Sequence, residues 1–324
     1  MRGGIYGTEG IRTDVVVRGN VFSYNGLKGL GGSRADRILL ENNTISYNNI
    51  EHFSQYDAAG VKFTSTHGPI WRNNLVERNF ACGMWLDISS TNATLVHNTV
   101  RYNDRYGIFF EISHKAIIAG NIVYNNKDGI HISNSSSTRV YNNSTARNVY
   151  NIYIDDTTRN NTNAGESAKG ITWISRDHII KNNISSNPSS DPASVLLQVW
   201  NGGGKGTFEP SAQNVTAVNY NGYYRPSTSA IPRAIRWMEP DGIGRSYTSV
   251  ASFSAATGYE TNALTIDNVA INPFFVDEAN GDFRLKTGSA AIGRGEALPP
   301  DVAAAIGLPA GVKVDLGALQ ATVP

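Results

Sequence analysis

A pair of asparagines with the spacing Asn-x4-Asn recurs six times in the first half of the chain. The first asparagines of successive pairs are 23, 31, 24, 23 and 22 residues apart, and an apolar residue stands three positions before each. A unit of this length cannot bury its apolar side alone, so successive units must stack and share one core. The repeat therefore predicts a solenoid of stacked coils. The six pairs are Asn20/Asn25, Asn43/Asn48, Asn74/Asn79, Asn98/Asn103, Asn121/Asn126 and Asn143/Asn148.

A second motif, a glycine followed by alternating residues, lies 14 or 15 residues before five of the first asparagines. Alternation over four or five residues predicts a strand, and a glycine before it is typical of a turn. Several short strands within about 23 residues predict one coil of a parallel β-helix, an all-β fold, with the asparagines forming an internal hydrogen-bonded ladder at a turn. The leucine consensus of a leucine-rich repeat is missing. The glycines are Gly29, Gly60, Gly83, Gly107 and Gly129, and Asn151 takes their place in the next coil.

The coils resemble the right-handed parallel β-helix repeat proteins of bacteria, within the broad pectin-lyase-like superfamily. The strings Gly83-Met-Trp-Leu-Asp-Ile-Ser89 and Gly107-Ile-Phe-Phe-Glu-Ile-Ser113 are similar to a group of secreted, mostly uncharacterised members. The segment 272–318 is similar to the usual C-terminal end of such chains. The resemblance implies the right-handed fold and carbohydrate chemistry, but one scaffold hosts many functions, so it does not name the reaction.

The whole chain is expected to form one β-helix domain over residues 1–324. Regular coils are predicted over about 5–155, coils with longer loops over 156–225, and an irregular C-terminal wrap over 226–324. Extra residues at 49–57 and a polar stretch at 157–169 must leave the coils as loops, and residues 249–257 fit one short helix. The abrupt start is compatible with earlier coils or a cap before residue 1.

Composition excludes several classes of protein. With 28 basic and 27 acidic residues the net charge is +1, which argues against an electrostatic binder of nucleic acid or of a membrane surface. No apolar run is long enough to span a membrane, and Cys82, the single cysteine, excludes a disulfide framework. We expect a bacterial protein that is secreted or on the cell surface, although the sequence begins without a signal peptide.

Alternation along the glycine strands places two columns of side chains on the outer face. Adjacent coils are about 4.8 Å apart, so members of a column are neighbours. Stacked aromatic rings would stabilise a sheet, but Asp87 and Glu111 on adjacent coils repel unless a cation or proton is shared, which favours a functional site. The aromatic column is Lys62, Trp85, Phe109, His131 and Tyr153, and the carboxylate column is Thr64, Asp87, Glu111, Ser133 and Asp155.

The first functional hypothesis is hydrolysis of a polysaccharide by a carboxylate pair. Glu111 is the preferred general acid and Asp87 its partner, while Asp155, two coils from Glu111, is the wider alternative partner. Trp85, Phe109 and Tyr153 would stack on sugar rings, and Lys62 or His131 would bind hydroxyl or acidic groups. If it folds back, the loop at 49–57 would bring Glu51, His52, Gln55, Tyr56 and Asp57 towards the same face. This mechanism needs no metal and no cofactor.

Two alternatives stay open. A polysaccharide lyase would use Lys62, His131 or Tyr153 as the base. It would need a cation or an arginine to neutralise a uronate carboxylate, and Asp87 and Glu111 could then hold calcium. A non-catalytic glycan-binding or adhesin β-helix would use the same columns without turnover. A polysaccharide or oligosaccharide is the expected partner in each case, and the oligomeric state is left open.

Overall fold

The computed structural model describes residues 5–7, 13–54, 57–157, 159, 166, 169–201 and 210–321. Through these residues the chain winds as a right-handed parallel β-helix, and each full coil contributes one strand to each of three stacked sheets. Strands from successive coils pair in parallel, as Ala59–Thr64 does with Cys82–Asp87. The predicted fold is confirmed.

The three sheets contain short strands of two to six residues. Sheet 1 contains Ile5–Tyr6, Lys28–Ser33, Ala59–Thr64, Cys82–Asp87, Tyr106–Glu111, Asp128–Ser133, Tyr150–Asp155, Val195–Trp200, Ile235–Met238 and the antiparallel Gly244–Tyr247. Sheet 2 contains Val16–Arg18, Leu39–Glu41, Ile70–Arg72, Thr91–Val96, His114–Ala119, Ser136–Tyr141, His178–Lys181 and Val215–Asn219. Sheet 3 contains Val21–Ser23, Thr44–Ser46, Leu75–Glu77, Thr99–Arg101, Ile122–Tyr124, Ser144–Ala146, Ile184–Ser186, Gly222–Arg225 and Leu264–Asp267.

The predicted inward positions of sheet 1 form the core. Their side chains are at most 2% exposed and belong to one apolar cluster that runs through the coils. The alternation of the sequence therefore gave the correct facing of these strands. The inward residues are Val61, Phe63, Met84, Leu86, Ile108, Phe110, Ile130, Ile132, Ile152 and Ile154.

The asparagines form two internal ladders, as predicted. Asn74 is typical: its Nδ2 donates to Asn98 Oδ1 at 3.0 Å and to the Leu40 carbonyl at 2.9 Å, and its backbone N–H donates to the same Oδ1. Each buried amide thus satisfies groups on its own coil and on both neighbours. The first ladder runs through Asn20, Asn43, Asn74, Asn98, Asn121, Asn143, Asn183 and Asn221, and the second through Asn25, Asn48, Asn79, Asn103, Asn126 and Asn148.

The repeated glycine lies at the second position of five sheet 1 strands, and it is explained by space rather than by turn conformation. Gly83 does not have a left-handed φ. A Cβ atom there would lie 2.9 Å from Asn103 Nδ2 and 2.7 Å from the Gly107 carbonyl oxygen. The second ladder therefore requires glycine beside each amide. In the coil without glycine, Asn151 itself accepts from Asn148 Nδ2 at 3.0 Å and ends the regular spacing of that ladder.

The coils continue into the range expected for the C-terminal wrap. The strands Ile235–Met238 and Leu264–Asp267 still pair in parallel with the strands of preceding coils. Helix α1, Val250–Thr257, confirms the predicted short helix; Ser249 caps its N-terminus by accepting from the Ser252 N–H. The Phe253 ring packs 5.1 Å from the Trp237 ring and covers the end of the core.

The remaining C-terminal residues run back along the outside of the solenoid. Aromatic residues near the antiparallel pair Phe275–Asp277 and Asp282–Leu285 pack on sheet 3 around Tyr124 and Tyr224. Helix α2, Pro300–Ile306, packs on sheet 2 against Tyr141. Neither packing cluster, within the described residues, includes a side chain of sheet 1. The wrap therefore leaves sheet 1 as the outer face on which a site can be built.

Candidate functional site

The two predicted columns are in register on the outer side of sheet 1. Lys62 pairs with Trp85, Trp85 with Phe109, Phe109 with His131, and His131 with Tyr153. In the carboxylate column Glu111 pairs with Ser133, and Ser133 with Asp155. Trp85 and Phe109 form a small cluster separate from the main core. The predicted facing is therefore observed, although the side chains are buried: Trp85 is 4% and Glu111 7% exposed.

The aromatic column is a continuous stack. Lys62 Nζ lies 3.3 Å from the centroid of the Trp85 ring. The Trp85 and Phe109 centroids are 5.2 Å apart, and those of Phe109 and His131 are 5.0 Å apart. The Tyr153 ring follows at 4.4 Å from His131. Stacking of this kind fixes the planes of the rings and fills the outer face of the sheet with flat apolar surface.

Each carboxylate of the adjacent pair has a cation of its own. Asp87 Oδ2 lies 2.8 Å from Lys62 Nζ, and both side chains are nearly fully buried. Glu111 Oε1 forms an ion pair with Arg159, whose side chain is 44% exposed. The sequence led us to expect a cation or proton shared between Asp87 and Glu111. The structure instead compensates the two charges separately, from two different parts of the chain.

The Glu111 carboxyl group has a shifted pKa. Burial raises its pKa, and the charge of Asp87 raises it further, while Arg159 and Lys62 act in the opposite direction. The net shift is upwards. An upward shift is the direction that a general acid requires.

His131 is held between two carboxylates. Its Nε2 lies 3.3 Å from Asp155 Oδ1, and its Nδ1 lies 2.9 Å from Asp128 Oδ2. Burial alone would lower the pKa of His131, but Asp155 and Asp128 outweigh burial and raise it to about 9. The imidazole is therefore a cation at neutral pH. Asp155 forms an ion pair with His131. Asp87, on the coil next to that of Glu111, is therefore the nearer partner for Glu111.

Two residues of the site were missed by the sequence reasoning. Asp128 precedes Gly129, and its neighbours in register are Tyr106 and Tyr150, which also pack on the aromatic column. A third outer column at the position before the glycine was the signal that could have found it. Arg159 lies in the polar excursion, where no periodicity indicates which coil a side chain will reach.

The described ends of the polar excursion after Asp155 lie beside the site. Asn134 Nδ2 donates to Asp156 Oδ1 at 2.6 Å and to the Trp173 carbonyl at 3.3 Å, so a single buried amide holds both ends of the excursion. Trp173 Nε1 donates to Ser89 Oγ at 3.1 Å, two residues after Asp87. These contacts place Asp156 and Trp173 beside the carboxylate column.

Asp57, at the end of the loop 49–57, lies beside the aromatic column. Asp57 Oδ1 lies 3.6 Å from Lys28 Nζ and 3.9 Å from Lys62 Nζ. His52 packs against Phe80, with ring centroids 4.7 Å apart. The structure therefore brings Asp57 to the column and leaves His52 beside Phe80. Gln55 and Tyr56 lie outside the described residues.

The surroundings of Asp87 and Glu111 do not fit the calcium ion that the lyase alternative could place there. Asp87 and Glu111 are already matched by the cationic groups of Lys62 and Arg159. The described part of the chain also contains no group of three or more His, Cys, Asp and Glu residues that could hold a metal ion.

None of the described helices is long and apolar enough to cross a membrane.

Three stacked sheets, two asparagine ladders and an outer face of aromatic and carboxylate columns define a right-handed parallel β-helix. Residues 2–145 match the family described as "Right handed beta helix region". No curated protein sequence matches the chain.

Among solved structures, the complex of XylC with xylose has a TM-score of 0.53 at 16% identity, covering 82% of this chain and 39% of XylC. The A-module of the Azotobacter vinelandii mannuronan C-5 epimerase AlgE4 has a TM-score of 0.38 at 14% identity, covering 65% of this chain and 52% of the module. The AlgE6 A-module of the same organism has a TM-score of 0.42 at 11% identity, covering 79% and 58%. The chain thus spans between two fifths and three fifths of these proteins, and the XylC likeness shows the shared fold.

Proposed function

We propose that the protein is a glycoside hydrolase that cleaves a polysaccharide on the outer face of sheet 1. The observation that carries the proposal is the placement of Asp87 and Glu111 on adjacent coils, beside a stack of aromatic rings. Two carboxyl groups one strand apart, about 4.8 Å, match the short separation of retaining glycosidases better than the wider inverting one. We therefore assign Asp87 as the nucleophile and Glu111 as the acid.

The chemistry has two steps. In the first, the Glu111 carboxylic acid gives its proton to the glycosidic oxygen while the Asp87 carboxylate attacks the anomeric carbon, and the bond to the leaving sugar breaks. In the second, the Glu111 carboxylate takes a proton from water, which displaces Asp87 from the sugar and restores both groups. The raised pKa of Glu111 supports this division of roles.

Lys62 and His131 have supporting roles in this proposal. The Lys62 ammonium at 2.8 Å fixes the position of the Asp87 carboxylate from within the aromatic stack. His131, positively charged between Asp128 and Asp155, holds the stack together rather than acting as a base. A base role for His131, as in the lyase alternative, would require deprotonation of a group whose pKa is about 9.

Substrate binding requires Arg159 to leave Glu111. Arg159 is 44% exposed, so its ion pair with Glu111 is of the half-solvated kind that contributes at most about 1 kcal/mol. A sugar hydroxyl can replace it at little cost. A saccharide ligand also agrees with the XylC relative, whose structure is a complex with xylose.

The test is turnover by wild type and Glu111→Gln on a panel of polysaccharides, read both as new reducing ends and as the ultraviolet absorbance of unsaturated products. Glu77→Gln is the matched control, because Glu77 is also a strand carboxylate paired with an arginine, on sheet 3. We expect reducing ends without absorbance, a loss of at least about 100-fold in Glu111→Gln, and unchanged turnover in Glu77→Gln.

Other outcomes contradict the proposal in different ways. Products that absorb in the ultraviolet would make the protein a lyase. Glycan binding without products would favour the second candidate, a recognition scaffold, which the ion pairing of both carboxylates supports. Equal turnover by wild type and Glu111→Gln would place hydrolysis elsewhere in the molecule.

A further inference from the structure

The solenoid has two corners where every coil needs a residue in the left-handed backbone region. The first lies between sheets 2 and 3, immediately before each asparagine of the first ladder; the second lies after sheet 3, immediately before each asparagine of the second ladder. Residues at both corners have φ between 47° and 67°. Backbone geometry is therefore nearly the same at the two corners, and the residues chosen there can be compared directly.

The first corner uses residues that tolerate this conformation. Glycine, asparagine and histidine are the residue types that adopt positive φ most readily. They occupy seven of the eight first-corner positions in the described chain, and only Tyr220 departs from the rule. These positions are Gly19, Asn42, Asn73, His97, Gly120, Asn142, Asn182 and Tyr220.

The second corner begins with four large side chains instead. Tyr24, Tyr47, Arg78 and Tyr102 have φ of 56°, 53°, 54° and 55° on four successive coils. Bulky residues are outliers in this region, and each is held there at a cost. Backbone preference therefore argues against these residues, and some other property of the side chains must account for them. We call these four residues the tyrosine ridge.

The ridge contains two stacked pairs at the protein surface. The Tyr24 and Tyr47 rings are 5.2 Å apart and inclined by 5°, and the Arg78 guanidinium lies 4.7 Å from the centroid of the Tyr102 ring. Tyr24 is 64% and Tyr102 37% exposed. Cross-strand stacking of exposed rings gains less than left-handed strain costs, so folding alone does not account for the ridge.

The ridge also presents a cation, Arg78, that has no ion-pair partner among the residues that the structure describes. Arg101, on the neighbouring strand, is paired with Glu77 at 2.7 Å. Arg78 forms no salt bridge with any residue that the structure describes, and its guanidinium stacks only on the Tyr102 ring. A flat, exposed aromatic surface with a free guanidinium in its middle is chemically suited to a carbohydrate that carries carboxylates.

We propose that the tyrosine ridge is a second binding site, which takes an acidic polysaccharide containing uronate residues. The tyrosine rings contact the apolar faces of sugar rings, and Arg78 pairs with a uronate carboxylate. The coils place one ridge residue about every 4.8 Å along the solenoid, so an extended sugar chain can follow it. The ridge lies at the corner after sheet 3, whereas the two columns lie on the outer face of sheet 1. Binding at the ridge does not depend on the hydrolytic function proposed for the columns.

The experiment is affinity electrophoresis through gels that contain polygalacturonate, alginate or hyaluronan. The test variant carries Tyr47→Asn, Arg78→Asn and Tyr102→Asn, which install the residue type that the first corner uses, so it should fold at least as stably as wild type. Tyr220→Asn is the matched control, since it makes the same change at the same φ on the first corner.

We expect at least one of the three polymers to retard wild type and Tyr220→Asn equally, with binding about tenfold weaker in the ridge variant. Fully methyl-esterified polygalacturonate should bind wild type no better than it binds Arg78→Asn. Glu111→Gln should bind like wild type, which separates this site from the proposed hydrolytic one.

Four results would overturn the proposal. These are retardation by none of the three polymers, undiminished binding by the ridge variant, and equal binding of the acidic and esterified polymers. The fourth is equally strong retardation by single-stranded DNA that the ridge variant loses, which would make the ridge a site for stacked bases.

Discussion

The two sides of sheet 1 are equally buried but are built in different ways. On the inner side, Met84 and Leu86 are 1% and 0% exposed and contact other apolar side chains. On the outer side of the same strand, Trp85 and Asp87 are 4% and 5% exposed, and Asp87 needs the ammonium of Lys62. The inner side contributes stability through apolar area. The outer side keeps charges that stability alone does not require, which is what we expect of a functional surface.

The largest loss of stability should come from removing an aromatic ring on the inner or the outer side of the same sheet 1 strand. Phe110→Ala opens a cavity in the core and should lower the free energy of unfolding by about 3–5 kcal/mol. Phe109→Ala, on the outer side, should cost about 2 kcal/mol, because its ring packs in a smaller cluster at the edge of solvent. Chemical denaturation measures both. Equal losses would mean that the outer column is a second core rather than a separate surface.

The asparagine ladder should rank next. Asn98→Ala leaves the backbone N–H and Nδ2 of Asn74 without their acceptor, and the Trp71 carbonyl without its donor. A buried group left unsatisfied costs at least about 1 kcal/mol, so the loss of three such partners should lower the free energy of unfolding by about 3 kcal/mol. Asn262→Ala, at an exposed position, is the control. A loss within 0.5 kcal/mol of that control, roughly the effect of a neutral surface change, would contradict a structural role for the ladder.

The inner side and the ladder are also the parts that the sequence predicts best. Each depends only on neighbours in the preceding and following coils, so a repeat in the sequence becomes a repeat in space. The alternation around Gly83 and Gly107 gave the inward residues and the register of the columns. The prediction that these glycines serve a turn was wrong. A Cβ atom there would clash with a ladder amide of another coil, and the sequence alone does not show that contact.

The charge balance of the outer side could be predicted only in part. Asp87 and Glu111 were found because they lie on a regular column. Arg159, which pairs with Glu111, comes from a loop 48 residues further along the chain, where spacing carries no information. Asp128 was overlooked because only positions after the glycine were compared. The polar contacts of a β-helix surface depend on its loops, and those contacts need the structure.

The charged outer side should also make stability depend on pH. His131 has a folded pKa of about 9, above its ordinary value of about 6.5. Its stabilising contribution is therefore fully present below about pH 6.5 and is lost as pH rises through 9. We expect wild type to lose up to roughly 3 kcal/mol across this window. His131→Gln should lack this dependence; the same slope in both proteins would contradict a charged His131.

The most direct test of the account measures the free energy of unfolding and polysaccharide turnover on the same preparation of Glu111→Gln. The substitution removes a buried charge that Asp87 repels, and the half-exposed Arg159 can turn to water. We therefore predict a stability within about 1 kcal/mol of wild type, together with loss of turnover. A variant that loses several kcal/mol of stability but retains turnover would show that Glu111 serves the fold and that the outer face of sheet 1 is not the site of catalysis.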